Sequence, residues 1–211
     1  MKTLYATIIL FLAAITAFGQ EGNFLIGIEA GPSQTSIRNK SNSRLKSTVG
    51  YAAGASFEYM LNKNMGLKSG LLFEQKGAKD DIMMTDIQGN NIGNLEIDIK
   101  YQYLVLPLLF AYHTGGNPDF YVNLGPYAGF LLSNMVYYED TDQYEGMKED
   151  FTSETNSVDI GASIGVGANI PISENLKLGV DIRENLGLTN TIGDSKTNSL
   201  GLLVGLKYLV N

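Results

Sequence analysis

The fold is decided by a stretch of strict alternation, VDIGASIGVGANI, which runs from Val158 to Ile170. Every second residue, beginning with Val158, is Val, Ile or Ala, and the residues between them are Asp, Gly, Ser or Asn. A period of two places successive side chains on opposite faces of an extended strand, whereas a helix needs a period of about 3.6. The stretch therefore predicts a β-strand with one apolar face and one polar, glycine-rich face.

Seven other segments complete a set of eight predicted strands. Six of them show the same division into an apolar face and a glycine-rich polar face. The segment at 97–112 is apolar on both faces between Tyr103 and Tyr112, so its register stays open. The predicted strands cover 24–31, 51–61, 65–76, 97–112, 120–130, 158–170, 176–183 and 200–208.

Charged residues share a face with the glycines, which indicates which face is the interior. Small residues fit the crowded inside of a narrow barrel, and buried charges must be paired because an isolated one is costly. Outside the ambiguous segment, five acidic residues balance five basic ones. We predict that they form a lumen charge network consisting of Glu29, Glu58, Glu74, Asp159, Asp181, Lys68, Lys76, Lys177, Arg183 and Lys207.

The lengths of the connections and the positions of the aromatic residues both distinguish the periplasmic end of the barrel from the surface end. Short connections near 62–64, 113–118 and 171–175 alternate with longer ones near 32–48, 77–94, 133–157 and 187–197. This is typical of outer-membrane barrels with periplasmic turns and surface loops. Aromatic side chains form two predicted interfacial girdles. The turn-side girdle is Phe24, Phe57, Tyr59, Tyr112, Phe120 and Tyr208, and the loop-side girdle is Tyr51, Phe73, Tyr101, Tyr103 and Phe130.

The sequence thus predicts an all-β fold: an eight-stranded antiparallel transmembrane β-barrel with the up-and-down topology of the small OmpA/OmpX-type barrels. A three-residue turn at 62–64 pairs Leu61 with Met65 and sets Glu58 opposite Lys68 on the lumen face. In this register, we expect the effects of substituting Glu58 and Lys68 on the stability of the barrel to be coupled.

The N-terminus predicts export. Lys2 precedes an apolar run from Leu4 to Ile15, and the small-x-small sequence at 17–19 precedes Gln20. We expect a cleaved signal peptide at 1–19 and an outer-membrane β-barrel domain at 20–211. The chain has no Cys, which excludes disulfides and thiol chemistry. Its formal net charge of −7 argues against a nucleic-acid partner.

Four features resemble those of the PorT-type "porin family" of outer-membrane β-barrel proteins, over essentially all of residues 23–211. They are the signal end at Gly19 and Gln20, the segments YLVLPLL (103–109) and FYVNLGPYAG (120–129), and the terminal strand 200–208. Relatives often have a polar residue in place of Val105, which would turn the odd positions of this strand inward; here both faces are apolar, so the register stays open. The resemblance implies an integral protein of the bacterial outer membrane.

Residues that could carry chemistry are sparse. His113 is the single imidazole, and no Ser is adjacent to it in the sequence, so we interpret it as an interfacial turn residue and expect no enzyme activity. The acidic segment 139–150 does not have EF-hand spacing. We interpret it as a solvated loop, with Asp140, Asp142 and Glu145 as weak candidates for a cation site. No cofactor is expected.

The first surface loop is basic. Its four cations are Arg38, Lys40, Arg44 and Lys46, and they could contact either anionic lipopolysaccharide or the acidic third loop. Outer-membrane lipid and lipopolysaccharide are therefore the expected partners, together with envelope or secretion-machinery proteins.

Three functional hypotheses follow from this fold. The first is a non-enzymatic integral outer-membrane barrel with an envelope-structural, adhesion or secretion-accessory role. The second is a narrow porin-like channel for small solutes, which is less favoured because an eight-stranded lumen is normally filled by side chains. The third is a soluble periplasmic lipocalin-like carrier, which requires the apolar face to lie inside.

Overall fold

The computed structural model describes residues 24–38, 45–85, 87–138 and 147–210. The predicted signal peptide at 1–19 lies outside these ranges. The described residues form nine strands and a short 3₁₀ helix, Thr152–Glu154. The strands are β1 (Phe24–Arg38), β2 (Lys46–Met60), β3 (Met65–Thr85), β4 (Asn91–His113), β5 (Asp119–Tyr138), β6 (Lys148–Asp150), β7 (Val158–Pro171), β8 (Leu176–Gly187) and β9 (Lys196–Val210).

Eight of these strands close into a ring in which every neighbouring pair is antiparallel. The order around the ring is β1–β2–β3–β4–β5–β7–β8–β9, and β9 pairs with β1 to close it. Closure removes the unpaired sheet edges that a membrane interior does not tolerate. The short strand β6 pairs only with the far end of β5, outside the ring. The predicted eight-stranded up-and-down barrel is confirmed.

The apolar faces of the strands point outward. Ile28 is 67% exposed, Leu124 59% and Ile164 51%, whereas Glu58 and Lys68 on the opposite parity are each 2% exposed. Such a broad belt of exposed large apolar side chains requires a lipid environment. The lipocalin-like alternative, which needed the apolar face inside, is therefore wrong.

Strand β4 takes the register that its sequence left open. Tyr112 lies opposite Met65 and Val122, which face lipid, and cross-strand partners share a face. The odd positions of β4 consequently point inward, so Tyr101 and Tyr103 are 3% and 0% exposed. Their predicted place in the loop-side girdle is wrong. They pack in an interior apolar cluster with Ile37, Ala78, Val105 and Tyr127.

The other girdle residues lie on the outer surface, and two aromatic pairs mark its two rims. Phe24 and Tyr59 have ring centroids 5.1 Å apart at the turn side, and Tyr51 and Phe73 have centroids 5.8 Å apart at the loop side. Amphipathic and aromatic rings at these two heights are typical of membrane interfaces.

The strands continue well beyond the predicted loop boundaries. The short turns match the prediction. The β3–β4 ladder, however, extends from the Met65–Tyr112 pair to the Thr85–Asn91 pair. Past Gln75 the hairpin continues for ten residues, or about 33 Å along the strand. Polar side chains occupy both faces of β3 from Lys79 to Asp81, so the period-2 apolar signal is lost there. The predicted loop at 77–94 is therefore mostly strand.

Candidate functional site

Nine of the ten residues predicted for the lumen charge network are buried inside the ring. They are Glu29, Glu58, Glu74, Asp159, Asp181, Lys68, Lys76, Arg183 and Lys207. The tenth, Lys177, is half-buried opposite Lys207 and lines the mouth at the turn side. Eight of these nine groups belong to three clusters along the barrel axis, with Glu74 beside Lys76, and the ninth, Lys207, donates a hydrogen bond to Asn169.

The central network contains two acids and two bases. The Lys68 ammonium lies 2.8 Å from Asp181 Oδ2 and 3.7 Å from Glu29 Oε2. Arg183 lies 3.1 Å from Glu29 Oε1 and 3.3 Å from Asp181 Oδ1. The Tyr121 hydroxyl donates a further hydrogen bond of 2.7 Å to Asp181. The network is formally neutral and joins β1, β3, β5 and β8 across the lumen.

The loop-side network is built around Lys76. Its ammonium lies 3.1 Å from Asp159 and 4.6 Å from the centroid of the Tyr127 ring. Asp159 also accepts hydrogen bonds from Thr197 at 2.7 Å and from Tyr127 at 3.0 Å. Each charge is therefore held by several partners, as burial requires.

The space between these two networks is nearly filled. Ala52, Leu72 and Leu203 form a buried apolar cluster at this level. The cavity bounded by Glu74 on one side and Arg183 on the other has a volume of about 20 Å³. That volume accommodates roughly one water molecule. At this level the barrel is packed with side chains.

His113 forms the third cluster, which we call the turn-side triad: Glu58, His113 and Asp119. Nε2 of His113 lies 2.6 Å from Glu58, and Nδ1 lies 2.7 Å from Asp119. The imidazole is 1% exposed, so its interpretation as an interfacial turn residue is wrong. The inward parity of β4 carries it into the lumen. When protonated it donates from both nitrogens, and it provides the fifth interior cation that the sequence assigned to Lys177.

Both ring nitrogens of His113 are occupied by carboxylates. A nitrogen acting as general base needs to reach the proton of a nucleophile. Within the described residues, neither nitrogen faces a hydroxyl group. The arrangement therefore favours a structural ion pair over a hydrolytic triad.

The register between β2 and β3 is confirmed, but the pairing it was expected to produce is different. Glu58 lies directly opposite Lys68. Lys68 instead reaches across the lumen to Asp181, and Glu58 binds His113. Direct strand neighbours therefore do not determine the ion pairs of this lumen.

Two tyrosines that sequence reasoning missed contribute to the interior networks. Tyr121 and Tyr127 fall on the glycine-rich parity of their strand, and this signal could have identified them. Both have a glycine as direct cross-strand partner, Gly167 and Gly161. The absence of a side chain at these glycines leaves room for the rings.

The predicted basic loop is described only at its two ends. The Arg38 guanidinium donates a 2.8 Å hydrogen bond to the carbonyl of Gly187. Lys46 forms an ion pair with Asp81 of β3, and the hydrogen bond to that carboxylate raises the pKa of Lys46. Lys40 and Arg44 lie outside the described residues.

The weak cation candidates Asp140, Asp142 and Glu145 also lie outside the described residues. In the ranges that are described, no group of three or more His, Asp or Glu residues is arranged to hold a metal ion.

Comparison with known proteins agrees with this geometry. Residues 18–193 match the family model "Outer membrane protein beta-barrel domain". The chain belongs to this family. It is accordingly a protein of the bacterial outer membrane. No curated protein matches the sequence.

Solved structures of outer-membrane proteins share the fold of this family member. A major outer membrane protein from Thermus thermophilus is 15% identical, with 90% of this chain and 100% of that chain covered and a TM-score of 0.52. Neisserial surface protein A is also 15% identical, with 89% and 99% covered and a TM-score of 0.50. Within the described ranges, no helix is long and apolar enough to cross a membrane.

Proposed function

We propose that this protein is a closed, non-enzymatic outer-membrane barrel of the PorT-type "porin family". Its envelope-structural, adhesion or secretion-accessory role would be carried by surfaces outside the lumen. The observation that carries the proposal is the packed interior, in which the central and loop-side networks enclose a cavity of only about 20 Å³. We further propose that the mature barrel begins at Gln20, after removal of 1–19.

The surface best placed to bind a partner is the sheet that extends beyond the loop-side girdle. It consists of the outer parts of β3, β4 and β5 together with β6. Near its tip Met83 is 60% exposed and Ile87 is fully exposed, and the Asp81–Lys46 ion pair lies two residues from Met83 along β3. Exposed apolar residues rimmed by charge are typical of protein-binding surfaces. The proposed partners are envelope or secretion-machinery proteins.

The buried ion pairs support a non-enzymatic role. His113 is held between Glu58 and Asp119, so the only imidazole of the chain is committed to structure. The basic residues of the first loop, Arg38, Lys40, Arg44 and Lys46, support lipopolysaccharide as a second partner.

Conductance in a planar lipid bilayer tests the closed lumen. We expect the full-length mature barrel to give no discrete conductance steps. The control is a variant in which Glu29, Lys68, Asp181 and Arg183 are all replaced by Ala. It removes two charges of each sign, empties the central network and should conduct. Discrete steps from the unmodified barrel would support the narrow channel instead and overturn the proposal.

A further inference from the structure

The outer wall of the barrel carries a groove in its loop-side half. The groove crosses β2, β1, β9 and β8 and has a volume of about 490 Å³. Pro32, Ile182, Leu200 and Leu202 give it an apolar floor, and Gln34 places a polar group at its loop-side end. Pro32 has no N–H to donate to a ladder. The β1–β9 ladder is accordingly interrupted between Ala30 and Ser33.

Two cations lie directly above this groove. Arg38 of β1 is exposed and is the direct cross-strand partner of Lys196 of β9. They stand four residues, or about 13 Å, beyond Gln34 and Leu200 on the same outward parity. Between cations and groove lie Ser36 and Asn198, which are also paired.

Like charges placed directly opposite each other destabilise a ladder unless an anion lies between them. Lys196 has no ion-pair partner in the described ranges. Arg38 donates to the Gly187 carbonyl, and in the described ranges no carboxylate forms an ion pair with its guanidinium. The nearest outward-facing acid on this wall, Glu184, lies opposite Leu200 beside the groove and accepts a hydrogen bond from Asn198.

We propose that the groove and the Arg38–Lys196 pair bind the lipid A part of lipopolysaccharide, with an acyl chain in the groove and a phosphate group between the two cations. The loop side of an outer-membrane barrel faces the cell exterior, where the leaflet carries lipopolysaccharide. The inference rests on the proposed lipopolysaccharide contact of the first loop and assigns it a definite site.

A second groove, at the turn side, provides an internal comparison. It has a volume of about 430 Å³ and is lined by Tyr112, Phe120, Val166 and Val180, among others, with no charged residue in its lining. Its floor is apolar like that of the first groove, but in the described ranges no pair of outward-facing cations faces each other across a ladder at its end. Of these two grooves, the loop-side one combines both features that lipid A requires.

The experiment measures bound lipid by native mass spectrometry. The full barrel is reconstituted in vesicles of phosphatidylethanolamine containing lipopolysaccharide, then released in mild detergent. The test variant is Arg38→Gln with Lys196→Gln. The matched control is Lys63→Gln with Lys177→Gln, which removes the same charge at the turn end. A second pair places Trp in each groove, Gln34→Trp at the loop side and Ala168→Trp at the turn side. Heat-dependent gel mobility verifies that each variant is folded.

We expect lipopolysaccharide bound per barrel to fall about tenfold in the Arg38/Lys196 variant, as for loss of one strong charge-assisted contact. Gln34→Trp should lower it too, and both turn-side controls should match the unmodified barrel. Three outcomes would overturn the inference: unchanged binding in the test variant, an equal loss in the turn-side control, or retention of phosphatidylethanolamine in place of lipopolysaccharide. None of these outcomes bears on the conductance test, so the two proposals fail separately.

Discussion

The ring of Tyr121 lies over Gly167, its direct partner across the β5–β7 ladder. A Cβ built on Gly167 would stand 2.5 Å from the phenol oxygen and 2.5 Å from the carbonyl oxygen of Val180. Glycine at this position is therefore a packing requirement: it makes the space in which the Tyr121 hydroxyl reaches Asp181.

Gly167→Ala should consequently destabilise the barrel. We expect the free energy of unfolding in urea to fall by about 1–3 kcal/mol, the usual cost of overpacking a filled interior. Gly201→Ala is the matched control because its nearest neighbour would be 3.7 Å away, an ordinary contact. Equal stabilities of the two variants would contradict the packing requirement.

The cross-lumen pair Lys68–Asp181 should couple more strongly than the strand neighbours Lys68 and Glu58. In double-mutant cycles with Lys68→Met, Asp181→Asn and Glu58→Gln, we expect a coupling free energy of about 1–3 kcal/mol for the 2.8 Å pair. The Lys68–Glu58 coupling should be smaller, since Glu58 binds His113. A larger coupling to Glu58 would restore the pairing that the sequence predicted.

His113→Leu should be strongly destabilising because it leaves Glu58 buried beside an apolar side chain. Removing one partner of a buried pair costs about 3–5 kcal/mol. Additional replacement of Glu58 by Leu should recover part of that loss. Lys177→Leu serves as control: Lys177 is half-buried at the mouth, and we expect a change of about 0.5 kcal/mol or less. A comparable loss of stability in Lys177→Leu would contradict the prediction, because it would show that Lys177 at the mouth is as important to the interior charges as His113.

The outward apolar face can be tested with two arginines. Ile164 lies midway along β7 and is 51% exposed, whereas Ile87 lies at the tip of the β3–β4 hairpin and is fully exposed. Ile164→Arg should reduce the free energy of folding into vesicles by about 2–4 kcal/mol, the cost of a cation at the bilayer midplane. Ile87→Arg should have little effect. A water-surrounded protein would tolerate both changes, so similar stabilities would argue against the bilayer placement.

Local alternation was sufficient to predict much of this fold. Strands such as β7 have one face toward lipid and one toward the lumen. The face that carries the glycines was correctly predicted to be the inner one. The same rule failed for β4, where Leu109 and Ala111 are apolar and yet face inward. It also failed in the outer part of the hairpin beyond Asp80, where the side chains of β3 are partly or fully exposed and alternation has no physical cause.

The ion pairs could not be predicted in the same way. Lys68 finds Asp181 across the lumen, at a height set by the tilt and stagger of strands that are distant in the sequence. Alternation predicts on which face of the sheet a charged side chain lies, but it does not predict its ion-pair partner. The environment of His113 was mispredicted for a related reason: its inward parity on β4, and not the adjacent turn, places it in the lumen.

The cross-lumen contacts have a consequence for biogenesis. Arg183 of β8 binds Glu29 of β1, and Lys76 of β3 binds Asp159 of β7, so each pair joins residues separated by a large part of the chain. A half-assembled sheet would expose these charges without partners in the hydrocarbon. The ladder between β1 and β9 must therefore close together with the interior contacts, and insertion into the membrane should be a concerted, slow event governed by long-range pairing.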